Sequence, residues 1–172
     1  MLRNEGAVLP LREGAKVWLS GMSADAARAA GLVPVEDIAA ADVAIVRGET
    51  ASEMLHPYHF FGMRQKEGRL DFREGDEAFD ALGKAKAAGL PTVLAIFLDR
   101  PAVLTGTLDR ADAIIGNFGA EDAAVLDVAL GRTAARGRLP VELPRSMEAV
   151  EAQHPGLPDD SADPLYPKGF GL

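Results

Sequence analysis

The sequence predicts an α/β fold: a three-layer sandwich with a mostly parallel sheet, helices on both faces and one antiparallel edge strand. Three observations lead there. Short apolar runs rich in β-branched residues alternate along the chain with alanine-rich, amphipathic stretches. The runs are apolar at consecutive positions, as in strands covered on both sides, rather than at every second position. Glycine follows each candidate helix, at Gly31, Gly89 and Gly131.

Taken in order, Lys16-Val17-Trp18-Leu19-Ser20 is a short apolar run closed by Gly21, as expected of a buried strand. Ser23 supplies a cap oxygen for a short helix from Ala24 to Ala30. Asp42-Val43-Ala44-Ile45-Val46 is a second strand, bounded by charge. Asp76 to Ala88 reads as a helix whose Ala78, Phe79, Leu82 and Ala85 share one face. Pro91 to Leu98 is the strongest strand pattern in the chain, and Ala111 to Ile115 is another. Glu121 to Leu130 is a further helix. Gly137 and Pro140 frame a short edge strand, where proline's missing N–H is tolerated.

A chain of 172 residues is the size of one domain, and its 48% apolar and 26% charged residues are those of a globular protein. We read residues 1–172 as a single domain, with 1–15 an interdomain linker remnant and 143–172 an extended C-terminal wrap. Acidic residues outnumber basic ones, 26 to 18, for a formal net charge of −8. Phosphate affinity comes from clustered Lys and Arg, so nucleic acid is not an expected partner, and neither is an anionic membrane. With no cysteine, disulfides and thiolate chemistry are out of reach. The longest apolar run is too short to span a bilayer, and the expected compartment is the bacterial cytoplasm or periplasm.

In open parallel sheets the ligand crevice lies beyond the carboxyl ends of the strands, which points to the segments after Val46, Leu98 and Ile115. The stretch 47–75 has no clean periodicity, yet its Tyr58, His59, Phe60 and Phe61 argue against disorder. No phosphate-binding loop is present; Gly21-Met22-Ser23 follows the first strand instead, and no cofactor is expected. His56 and His59 lie three apart, but Pro57 between them speaks against a helical metal face, so no metal is expected either. Carboxylates are the leading chemical groups. Glu49 follows the second strand directly, Glu53 comes four residues later, and Glu67 lies between Lys66 and Arg69, cations that favour its ionised form. A carboxyl acting as general acid near neutral pH needs its pKa raised by burial or by a neighbouring carboxylate.

Four blocks together resemble a known family. Residues Leu2-Arg3-Asn4-Glu5-Gly6-Ala7-Val8-Leu9-Pro10-Leu11 are similar to the segment by which family 3 glycoside hydrolases leave their barrel and enter a second domain. Arg100-Pro101-Ala102-Val103-Leu104 resembles the family's turn after a central strand. Gly131 with Gly137-Arg138-Leu139-Pro140-Val141-Glu142-Leu143-Pro144 resembles its G-[RK]-L-P-V-x-x-P signature, and Asp163-Pro164-Leu165-Tyr166-Pro167-Lys168-Gly169-Phe170-Gly171-Leu172 its closing segment. The blocks occur in order and span nearly the whole chain. Asn117 to Glu121, Asp99 and Lys168 depart from the family pattern.

The resemblance implies the C-terminal domain of a retaining β-glycoside hydrolase, β-glucosidase-like, that contributes the acid/base side of a pocket and is inactive without its barrel. Its partners would be a β-linked glucoside or other small saccharide and the N-terminal barrel domain, which carries the nucleophile. Retention needs two carboxyl groups about 5–5.5 Å apart across the scissile bond, of which this chain supplies one. By resemblance Glu67 takes the acid/base role and Glu49 a supporting one, with Arg47, His56, His59 and Arg64 as further sugar contacts. The competing expectations are a non-catalytic carbohydrate-binding module and an assembly domain that forms a homodimer through the face left by the barrel. One Trp and two Tyr are a thin supply for sugar stacking.

Overall fold

The computed structural model describes residues 1–62, 64–157 and 159–172. Six strands form one sheet: β1 (Arg3–Asn4), β2 (Lys16–Ser20), β3 (Val33–Val35), β4 (Val43–Glu49), β5 (Thr92–Phe97) and β6 (Ala113–Asn117). Their order is β1-β6-β5-β4-β2-β3. All neighbours are parallel except β1 and β6, which pair antiparallel at Arg3↔Ile114 and Asn4↔Ala113. Four α-helices are present among the described residues: α1 (Ala24–Ala29), α2 (Glu77–Ala87), α3 (Asp122–Ala129) and α4 (Met147–Glu151).

Consecutive apolar residues in the strands are divided between two cores, one on each side of the sheet. Val17, Val43, Ile45, Val93, Ala95, Ala113 and Ile115 pack with Ala27 of α1 and with Val125, Leu126 and Ala129 of α3. Val46, Leu94, Ile96 and Ile114 point the other way, onto Phe79 and Leu82 of α2 and onto Leu139, Leu143 and Tyr166. Successive strand side chains face opposite ways, so a strand covered on both faces must be apolar throughout. Leu82, Leu94, Leu104 and Leu126 are wholly buried, each burial stabilising by about 1.5–3 kcal/mol. The three-layer α/β fold with its single antiparallel strand is thus the one expected.

The antiparallel strand lies elsewhere than expected. Gly137 to Pro140 forms no strand; its Leu139 exchanges two backbone bonds with Gly169 and Phe170 (2.8 and 3.0 Å) and stops there. The edge is taken by Arg3–Asn4, inside the segment read as a linker, because Leu2, Leu9 and Leu11 bury their side chains and draw that backbone onto β6. Strand β3 and helix α4 are also absent from the sequence reading. β3 is three residues with a central proline, and it adds to β2 only as an edge.

The C-terminal segment is fastened by its own ladder. Leu143 N–H donates to Tyr166 O at 2.8 Å, Leu165 N–H to Leu143 O at 2.9 Å, and Leu172 N–H to Met1 O at 2.9 Å. The two ends of the chain therefore meet. Among the described residues no helix is long and apolar enough to cross a membrane.

Candidate functional site

Strand β2 pairs with β3 on one side and β4 on the other, so the chain leaves its neighbourhood in opposite directions before and after β3. A crevice at the carboxyl ends of the strands is expected at such a switch point. A cleft of about 500 Å³ is found there, lined by Gly21 after β2, by Arg47 to Ser52 at the end of β4, by Phe97, and by Gly75 to Ala78 at the start of α2. Its floor depends on close backbone approach. Gly21 has φ +69°, and a Cβ there would lie 2.3 Å from Arg47 O.

The segment between β4 and α2 lines the cleft with its two ends, Thr50 to Ser52 and Phe72 with Gly75, and folds back between them as a long arm. Glu53 N–H donates to Glu67 O at 2.9 Å, a single antiparallel bridge that joins its two limbs. Between them, residues 56–62 make successive turns, with His59 N–H on His56 O (3.1 Å) and Gly62 N–H on His59 O (2.8 Å), and Arg64 N–H donates to Phe61 O (2.8 Å). Tyr58, Phe60 and Phe61 in the turns, and Met54 and Leu55 just before them, face outward, and Phe60 meets Phe61 edge-on with centroids 4.6 Å apart.

Two ion-paired groups occupy the arm and the cleft rim. Lys66 Nζ stands 2.7 Å from Glu49 Oε2 and 2.7 Å from Asp99 Oδ2, and 5.7 Å above the Phe97 ring. Burial pulls the Lys66 ammonium down, but its hydrogen bonds to Asp99 and Glu49 outweigh this and leave its pKa raised. Glu67 Oε2 lies 2.7 Å from His56 Nδ1; the glutamate side chain is only 12% exposed, the histidine 70%.

The candidate residues are therefore divided between these groups. Glu49 lines the cleft, 62% exposed at its side chain. Glu67 is on the arm, outside the lining of the cleft, and the two carboxylates bind different partners. The cations next to Glu67 in sequence do not serve it: Lys66 turns to Glu49 and Asp99, and Arg69 pairs with Asp76. Lys66, the immediate neighbour, projects to the opposite side of the limb, and the turn at Gly68 (φ +67°) redirects the chain before Arg69; His56, eleven residues away, is the partner instead. Arg47 contributes to the cleft wall, but its guanidinium is held by Asp122 and by the Ala120 carbonyl. His59 and Arg64 are exposed in the turns of the arm.

Lys66, Asp99 and Arg100 went unassigned in the sequence reading. The one signal for them was the charged pair Asp99-Arg100 directly after the strongest strand, at a crevice position. The segment after Ile115 does not reach the cleft. Asn117 instead donates to Ile96 O (3.0 Å) and accepts from Gly119 and Ala120 N–H (both 3.1 Å), shaping the turn into α3.

Residues 33–172 match the family model of the glycosyl hydrolase family 3 C-terminal domain. The chain belongs to that family. Over all of its 172 residues the domain is 42% identical to a periplasmic beta-glucosidase/beta-xylosidase of Dickeya chrysanthemi, of which it covers 26%. It is 35% identical over 179 aligned positions to beta-glucosidase C of Emericella nidulans, covering the whole domain and 28% of that protein. Among solved structures it superposes on a beta-glucosidase from Listeria innocua in complex with glucose with a TM-score of 0.71 at 16% identity, covering 99% of the domain and 31% of that chain. The domain thus spans about a quarter of the length of the curated relatives it matches.

Proposed function

We propose that this domain forms one wall of a β-glucoside-cleaving pocket, with Glu67 as acid/base and Glu49 shaping the cleft, and that the nucleophile is supplied by an N-terminal barrel domain. The observation that carries the reading is the tie between the arm of Glu67 and the switch-point cleft: the adjacent Lys66 binds Glu49, which lines the cleft, and the Glu67 carboxylate is bonded to His56. A group that first gives a proton to the leaving oxygen and then takes one from water must be comfortable in both charge states. The imidazole of His56, at 2.7 Å, gives the Glu67 carboxyl a hydrogen-bonding partner that is itself open to solvent.

His56, His59 and Arg64 project from the same arm and are the proposed sugar contacts. Arg47 acts through the cleft wall, since its guanidinium is already engaged. The outward apolar residues of the arm, Tyr58, Phe60 and Phe61 among them, support a face covered by the barrel in the longer protein. The periplasmic character of the Dickeya relative supports the periplasm of the two expected compartments.

The test is a chimaera in which this domain replaces the matched segment of the Dickeya enzyme, assayed on aryl β-glucosides beside the domain alone. The expected result is turnover by the chimaera and none by the domain. In the chimaera, Glu67→Gln should lose kcat mainly on substrates with poor leaving groups, by about 10²–10⁴-fold. Turnover by the isolated domain, a folded but inactive chimaera, or a Glu67→Gln variant with unchanged kinetics would overturn the reading.

A further inference from the structure

Two consecutive residues that follow β5 grip the arm at Glu67 from both sides. Arg100 spreads its guanidinium over a ring of backbone carbonyls. Nη1 donates to Glu67 O at 2.9 Å, Ala51 O at 3.3 Å and Arg69 O at 3.4 Å, and Nη2 donates to Gly68 O at 2.7 Å. These acceptors lie on both limbs of the arm, so one side chain fastens the outgoing limb to the returning one. Asp99 holds the preceding residue by its side chain, accepting from Lys66 Nζ at 2.7 Å.

The two limbs of the arm are joined to each other at few points. Among the described residues the one ladder bond between them is Glu53 N–H to Glu67 O, and Glu53 Oε2 adds an acceptor for Arg69 N–H at 3.0 Å. The turn at Gly68 (φ +67°) presses against that same Glu53 carboxylate, where a Cβ would lie 2.0 Å from Oε2. Phe97 O, two residues before Asp99, accepts from Thr50 N–H at 3.2 Å and from Thr50 Oγ1 at 3.3 Å, and Arg100 O takes Thr50 Oγ1 at 3.0 Å. The arm therefore leaves β4 and returns past Glu67 along one continuous seam on the end of β5. A planar fork with five donors suits four converging carbonyls, and an ammonium does not.

We propose that Asp99 and Arg100 are the positioning residues of Glu67: they set where its carboxyl stands without touching the substrate. This rests on the reading of Glu67 as acid/base. Displacement of a reacting group by about 1 Å costs on the order of 100-fold in rate, so fastening its own carbonyl and its neighbour's side chain has a direct kinetic consequence.

The test has a structural arm and a kinetic arm. In the domain itself, Arg100→Lys should speed amide hydrogen exchange at residues 67–69 while leaving exchange in β5 and β6 unchanged; Asp99→Ala should do so to a smaller degree. In the chimaera, Arg100→Lys should lower kcat/KM on phenyl β-glucoside by about 100-fold and on the dinitrophenyl glucoside, whose leaving group needs no proton, by less than about 3-fold. The spared dinitrophenyl rate shows that the variant is folded. Equal losses on both substrates, or unchanged exchange at residues 67–69, would overturn the proposal. If Glu67→Gln shows no leaving-group dependence, the acid/base reading fails by itself, and amide exchange then decides separately whether Arg100 fastens the arm.

Discussion

Arg69 and Asp76 form a two-pronged ion pair, Nη1 to Oδ2 at 2.8 Å and Nη2 to Oδ1 at 2.5 Å, that ties the end of the arm to the start of α2. Parallel guanidinium–carboxylate contacts are the strongest of their kind, and both side chains are about four-fifths buried. The Arg69 hydrogen bonds, opposed by partial burial and helped by Arg73 N–H, hold the Asp76 carboxyl below the usual aspartate value.

A depressed carboxyl pKa stabilises the fold at pH values above the unfolded value near 4, and that stabilisation is lost as pH falls through the lower folded value. Asp76→Asn should therefore cost about 1–3 kcal/mol at pH 7. Urea unfolding of the two proteins should show their stabilities converging as pH falls below about 4. A difference that stays constant down to pH 2 would contradict the ion pair.

Gly48 sits in β4 against α2, and a Cβ there would meet Ala78 Cβ at 2.6 Å. Neither backbone element can yield without moving the cleft wall that both of them line. Gly48→Ala should cost about 1–3 kcal/mol by overpacking. Gly48→Ala combined with Ala78→Gly should recover most of it, as thermal unfolding would report.

Arg47 and Asp122 connect the end of β4 to the first turn of α3, and Asp122 Oδ2 also accepts from Ser23 N–H at 2.8 Å. A double-mutant cycle with Arg47→Met and Asp122→Asn should give a coupling of about 1–3 kcal/mol. A coupling near zero would release Arg47 for a direct role at the cleft.

Glu142 is a carboxylate only 3% exposed, and its Oε1 accepts from Gln153 Nε2 at 2.8 Å and from Ser161 N–H at 2.9 Å. It is the joint between the Leu143 ladder and the segment after α4. Glu142→Ala should open residues 153–157 and 159–163 to limited proteolysis while leaving the Leu143 ladder protected, because Leu143 keeps its bonds to Leu165 and Tyr166.

The central strands and three of the helices were legible because each satisfies a local rule. The stretches around Val43 and Val93 are apolar at every position, Ser23 accepts from Ala26 N–H as an N-cap should, and the face of Phe79, Leu82 and Ala85 is buried. Weak local patterns misled. Arg3–Asn4 is two polar residues, made a strand only by the burial of its flanking leucines, whereas Gly137 to Pro140 carries strand punctuation but finds no sheet edge to join.

For the site, the sequence by itself determined which carboxylates follow the central strands, and through its four terminal and turn motifs it determined the family. Only the tertiary structure decided the partners: His56 for Glu67, Lys66 for Glu49 and Asp99, and four carbonyls for Arg100. The reason is physical. Helix and strand patterns are set by neighbours a few residues away, whereas an ion pair depends on where a long arm returns, and that is fixed by hydrogen bonds from the Arg100 side chain to carbonyls more than thirty positions away.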